Sequence, residues 1–207
     1  MTVRAGTVYL VGAGPGDPSL ITVRGLELLQ RADVVLYDRL VSPALLDRAS
    51  TRALLIDVGK ASFGQATLQA DINRALVEHA VQGRVVVRLK GGDPNVFGRA
   101  WEERQACVAA GVPCEVVPGI SSAIAGPAAA GIPVTLRGVS SSIAIAATPT
   151  IDDDELSAIA GADTAVFLMG VRELPQLVRR LLEAGRDPST PVAIVERANE
   201  SQGILAD

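Results

Sequence analysis

Short apolar runs, each closed by glycine, proline or a polar residue, alternate along this chain with segments whose apolar residues recur every three or four positions. Residues 7–11 (TVYLV), 34–37 and 54–58 read as strands, and the β-branched set Val85, Val86 and Val87 suits a strand buried on both faces. Leu20, Ile21, Leu26, Leu28 and Leu29 predict a helix over 19–32. Leu68, Ile72, Leu76 and Ala80 stand four apart and predict an amphipathic helix over 67–82. A further helix over 99–110 ends at Gly111, and 115–117 reads as the next strand. Beyond Pro118 the character changes to a small-residue helix and then strands at 140–147, 164–169 and 192–195. Leu174, Leu177, Val178, Leu181 and Leu182 form a helical core face between the last two strands. Alternation of this kind predicts α/β layering in two α/β domains, 1–117 and 118–207, each with its own sheet.

Composition narrows the class. The chain is 48% hydrophobic and 20% charged over 207 residues, enough for a substantial core in one large or two small domains. A net charge of −4 argues against a general nucleic-acid binder, which needs a basic surface. Cys107 and Cys114 belong to no metal-ligand pattern, so no metal site is expected, and a reduced thiol pair fits a cytoplasmic protein. The most apolar region, 112–136, is broken by Pro113, Pro118, Gly119, Gly126, Pro127, Gly131 and Pro133, which excludes an ordinary membrane helix. No charged start followed by an apolar cleavage segment marks a signal peptide.

Candidate chemistry gathers where strands end. The run VVVRLKGGDPNVFGR breaks at Gly91 and Gly92, where a ligand can approach main chain that carries no Cβ. In an open α/β sheet, ligands lie off the carboxyl ends of the strands, where this loop would fall. The turn Gly12-Ala13-Gly14-Pro15-Gly16-Asp17 invites comparison with a dinucleotide fingerprint, but the third glycine of G-x-G-x-x-G would fall on Asp17, and Pro15 removes a donor. Asp38 and Arg39 follow a strand, as Gly59-Lys60 follows another. Asp38 could bind a ribose hydroxyl, serve chemistry, or be a surface turn. Ser121 or Ser122 suits a helix N-cap or a ligand contact, and Trp101 an anchor for packing or for a subunit contact. His79, the single histidine, lies off the apolar stripe near a helix end and reads as a solvated or C-terminal-turn residue, not a catalyst.

Taken together, VYLVGAGPGDP, ADVVLYDRLVS, VGK, DIN, VVVRLKGGDPNVFGR, EVVPGISSA, GIPVTLRGVSSS, VFLMGV and PVAIVERA resemble the tetrapyrrole methylase family over nearly the whole chain, and within it the members acting on uroporphyrinogen III. The resemblance implies a homodimer of two α/β domains with a cleft between them that holds S-adenosylmethionine folded up, releasing S-adenosyl-L-homocysteine. Carried over by position, the donor site is Pro15, Gly91, Gly92, Asp93, Val96, Ser121, Ser122, Met169 and Ala198. The acid–base pair falls on Asp38 as acceptor and Lys60 as donor. Arg39, Arg99 and Arg137 are candidates to grip the carboxylates of the substrate. The implied reaction is two successive C-methylations of uroporphyrinogen III, giving precorrin-2 through precorrin-1. Rival readings are methylation of a later corrin intermediate, a dinucleotide-dependent oxidoreductase using Gly12–Gly16 with Asp38, and a non-catalytic binding module. The sequence departs from the family pattern at Ala147-Thr148-Pro149-Thr150, where a threonine-glycine-histidine turn is usual, and runs short after Gln202.

Overall fold

Five parallel strands make the first sheet: β1 Thr7–Gly12, β2 Val34–Tyr37, β3 Leu54–Asp57, β4 Val85–Lys90 and β5 Cys114–Val117, in the spatial order β3-β2-β4-β1-β5. They are seen in a computed structural model that describes residues 3–59, 68–196 and 204–206. β1 and β4 are buried along their full length, as the apolar runs Val8–Val11 and Val85–Val87 require, and β4 takes Arg88 and Lys90 into the interior with it. Side-chain alternation sorts each strand between two cores. Tyr9, Val11, Val85, Val87 and Leu89 meet Leu28 and Leu29 of helix α1 (Val23–Arg31) and Leu45 of the short helix α2 (Pro43–Leu46). Val8, Leu10, Val34, Leu36 and Val86 meet Ile72, Leu76 and Ala80 of α3 (Gln69–Val81) and Ala100 and Cys107 of α4 (Ala100–Ala109).

The strand order locates the crevice. The connection leaving β1 runs past β4 to reach β2, whereas the connection leaving β4 runs past β1 to reach β5. Adjacent strands whose chains depart in opposite directions define the switch point at which open α/β sheets bind ligands.

Two elements differ from expectation for local reasons. Residues 19–32 do not form one helix: Asp17 Oδ1 accepts from Ser19 N at 2.7 Å and caps a single 3₁₀ turn, Pro18–Leu20, after which Ile21 is extended. Thr22 Oγ1 then accepts from Gly25 N at 3.0 Å and starts α1 anew. Leu68 is the N-cap of α3 and lies exposed, so the buried stripe of that helix begins at Ile72. Trp101 is 66% exposed, with the Arg104 guanidinium 5.6 Å from its ring centroid, and is not part of the core. His79 stands in the last turn of α3, as expected.

The chain divides into two compact units, Met1–Ser122 and Ala123–Asp207. Helix α5 (Ser122–Ala129) starts at this division. In the second unit β6 (Ile143–Ala147) pairs in parallel with β7 (Thr164–Leu168), and β8 (Ile194–Glu196) pairs antiparallel with β9 (Ile204–Ala206). Helix α6 (Asp153–Ala160) carries a complete capping box between Asp152 and Glu155. Asp163 ties the start of β7 to the residues before β6: hydrogen bonds from Ser141 and Ser142, backbone first, hold its carboxyl down at about 2. Helix α7 (Leu174–Glu183) buries Leu177 but leaves Val178 and Leu182 exposed, so its apolar face is only partly covered. Among the described residues, no helix is long and apolar enough to cross a membrane.

Leu76 is fully buried between α3 and the sheet. Leu76→Ala is expected to lower stability by about 2–5 kcal/mol, seen as a lower urea midpoint with an unchanged slope.

Candidate active site

Three glycine backbones meet where β1, β4 and β5 end. A Cβ on Gly12 would lie 2.5 Å from Gly119 Cα and 2.7 Å from Gly92 O, and one on Gly119 would lie 2.7 Å from Gly12 Cα. Only glycine permits such an approach. Hydrogen bonds fasten it. Gly92 N donates to Gly14 O at 2.7 Å, Gly14 N donates to Gly92 O at 3.2 Å, and Ala13 N donates to Lys90 O at 2.7 Å. Asp93 then spans two loops, accepting from Asn95 N at 2.8 Å through one oxygen and from Gly119 N at 2.9 Å through the other.

This stitching decides against the dinucleotide reading. A pyrophosphate needs free N–H groups at a helix N-terminus. Here the donors of Ala13 and Gly14 are spent on the β4 strand and its loop, and α1 begins only at Val23.

The neighbouring loop presents Asp38. Its turn is wedged between the ends of β3 and β4: a Cβ on Gly91 would lie 2.8 Å from Leu40 Cβ, and one on Gly59 would collide with Arg39 N. Asp38 Oδ1 accepts from Leu40 N at 3.0 Å and Oδ2 from Gly91 N at 3.4 Å. Behind it lies a charge cluster that the sequence reading missed. Arg88 and Lys90 are each 4% exposed and Glu103 is fully buried. Glu103 accepts from Arg88 Nε at 3.0 Å and from Lys90 Nζ at 2.9 and 3.0 Å. Burial, and then the Arg88 charge, lower the proton affinity of Lys90, while Glu103 opposes them. A signal was present: two cations at alternate positions of a strand buried on both faces require a buried counter-charge from the layer they face.

The remaining candidates separate clearly. Pro15, Asp38, Arg39, Gly91, Gly92, Asp93, Val96 and Ser121 stand on loops at the carboxyl edge of the first sheet, and Ser122 opens α5 directly after Ser121. Arg99 is the N-cap of α4, held in the left-handed region at φ 57° with its guanidinium bidentate to Glu102 at 2.7 Å on both arms. Arg39 is exposed. Arg137 and Met169 belong to the second unit: Arg137 lies exposed before β6, and Met169 follows β7 at φ 60°. Gly170 beside it packs on Thr148, to whose Oγ1 a Cβ would come within 2.7 Å. Lys60 and Ala198 lie outside the described residues. Among the described residues no cluster suited to a metal ion is present.

The parallel sheet and its glycine-closed switch point define an α/β protein built to hold a small molecule against main chain at the carboxyl edge. The model of the Tetrapyrrole (Corrin/Porphyrin) Methylases matches residues 7–200, and the chain belongs to that family. It is 49% identical over 195 residues to a uroporphyrinogen-III C-methyltransferase of Priestia megaterium, covering 92% of this chain and 82% of the relative. Among solved structures it resembles the uroporphyrin-III C-methyl transferase of Thermus thermophilus complexed with S-adenyl homocysteine. That match has 41% identity and a TM-score of 0.83, covering 97% of this chain and 82% of the other. A cobalt precorrin-4 methyltransferase aligns with a TM-score of 0.85 at 29% identity, over 97% of this chain and 84% of the other.

Gly119→Ala forces a Cβ into two backbones at once. A loss of about 1–3 kcal/mol or more is expected, measured by chemical denaturation, whereas Gly111→Ala, with open space around it, loses only what its positive φ imposes.

Proposed function

We propose that this protein is an S-adenosylmethionine-dependent C-methyltransferase that converts uroporphyrinogen III to precorrin-2 through precorrin-1. The observation that carries the reading is 49% identity over 92% of the chain to a relative of that name, together with the glycine-lined edge that such a donor requires. The lower identity to the precorrin-4 enzyme, 29%, favours uroporphyrinogen III over a later corrin intermediate.

The residues present fit the donor. Gly92 and Ser121 lie side by side, a Cβ on Gly92 reaching 3.8 Å from Ser121 Cα, so one ligand can touch both loops. A carboxylate has about four acceptor sites, and Asp93 uses two on backbone donors, so it can still accept from an ammonium. S-adenosylmethionine, when bound, supplies a sulfonium methyl already activated for transfer. Pro15, Gly91, Gly92, Asp93, Val96, Ser121 and Ser122 hold the donor from the first domain, and Met169 and Ala198 from the second. That division requires a cleft between domains 1–117 and 118–207.

The task left to the protein is alignment of an electron-rich pyrrole carbon, followed by removal of a proton. Asp38 accepts that proton or holds the pyrrole N–H, and Lys60 donates. Arg39, Arg99 and Arg137 bind carboxylates, Arg99 through the arm that Glu102 leaves unused. We take the working protein to be a cytoplasmic homodimer, with the product serving sirohaem or cobalamin formation.

Anaerobic incubation with uroporphyrinogen III and S-adenosylmethionine is expected to add two methyl groups by mass; an unmethylated tetrapyrrole rejects the substrate. S-adenosylhomocysteine, and not NAD, is expected to raise the melting temperature. Asp38→Asn is expected to lower kcat by about 10²–10⁴-fold, and near-normal turnover would remove Asp38 from the proton step.

A further inference from the structure

We propose that Arg88 is the positioning residue for Asp38, a buried guanidinium that orients the acceptor carboxylate from behind the sheet. The proposal rests on the reading of Asp38 as the acceptor of the reaction.

Each nitrogen of the Arg88 guanidinium has a partner. Nε donates to Glu103 Oε1 at 3.0 Å, Nη1 donates to Leu89 O at 2.9 Å and reaches Leu36 O at 3.5 Å, and Nη2 lies 3.8 Å from Asp38 Oδ2. The planar fork is therefore immobilised by β4, by α4 and by β2 two residues before Asp38 itself. With Leu40 N and Gly91 N on the same carboxylate, Asp38 is located from three directions. Charge counting points the same way. Arg88 and Lys90 bring two cations into the interior and Glu103 only one anion. An unbalanced buried charge is strongly unfavourable, and the Asp38 carboxylate is the second anion that completes the set. Asp38 is also the one member that reaches the surface, its side chain 25% exposed against 5% for Arg88. The network thus ends at a solvent-facing carboxylate and transmits the rigidity of the core to the group that meets substrate. Lysine at position 88 would keep the charge but lose the fork that reaches Glu103 and Asp38 together.

The test uses the full chain, with Arg88→Met and Arg88→Lys made alone and each combined with Asp38→Asn. Arg88→Met is expected to lower kcat about 10- to 100-fold, in line with misplacement of a reacting group by about an ångström. The KM for S-adenosylmethionine and the Kd for S-adenosylhomocysteine should stay within about twofold of the parent, because the donor loops are untouched. Arg88→Lys is expected to recover only part of kcat, and it carries the same test if the methionine variant does not fold. In the Asp38→Asn background either change should add less than about a twofold further loss, as expected of residues acting through one group. An unchanged kcat in Arg88→Lys, or a loss that multiplies in full on top of Asp38→Asn, overturns the proposal while leaving Asp38 in place. Normal turnover by Asp38→Asn alone overturns the reading of Asp38, and the proposal with it.

Discussion

Contact between main chains is the constraint on which the site depends. At the ends of three neighbouring strands, Gly12 and Gly119 stand closer to each other and to the Gly92 carbonyl than any Cβ would allow, and Asp93 and the paired N–H groups of Gly14 and Gly92 hold them there. The same contacts explain why this edge does not behave as a dinucleotide site despite a glycine-rich first turn. Donors that would face a pyrophosphate are consumed by the neighbouring loop, and a 3₁₀ turn and an extended residue separate the glycines from α1.

The second organising feature is electrostatic. A sheet covered by helices on both faces has no place for an uncompensated charge, yet β4 carries Arg88 and Lys90 into the layer shared with α4. Glu103 answers both, and its complete burial shows that packing around the pair is tight. Such clusters contribute little net stability compared with apolar side chains of similar volume. Their worth lies in directionality: an arginine hydrogen-bonded through Nε and Nη1 is a rigid part, and the Asp38 turn wedged between Gly59 and Gly91 is built against it.

Much of this was legible in the residues. The strands at 7–11, 34–37 and 54–58 and the run beginning at Val85 were marked by apolar character, and Gly91-Gly92-Asp93 and Asp38 stood out as polar or glycine residues just past strand ends. The helix expected over 19–32 failed because two local caps, Asp17 and Thr22, compete, and periodicity is blind to a break between them. The half-covered face of α7 differs from expectation because burial depends on what lies opposite, which spacing along the chain does not state. Arg88, Lys90 and Glu103 were passed over because their partners lie 13 and 15 residues apart in sequence and meet only across a strand–helix interface.

By itself, then, the sequence determined the layered α/β class, the positions of the loops and, through motifs spread over the chain, the family. Those are properties of local pattern: period, β-branching, and glycine where a loop must turn. Strand order, and with it the juxtaposition of β1 and β4 at a switch point, was decided by tertiary structure alone. So were the meeting of the three glycine backbones and the balancing of two buried cations by Glu103 and Asp38. Each depends on which surfaces are brought together when the sheet closes, a choice made by long-range packing and charge compensation that no single segment of the chain encodes.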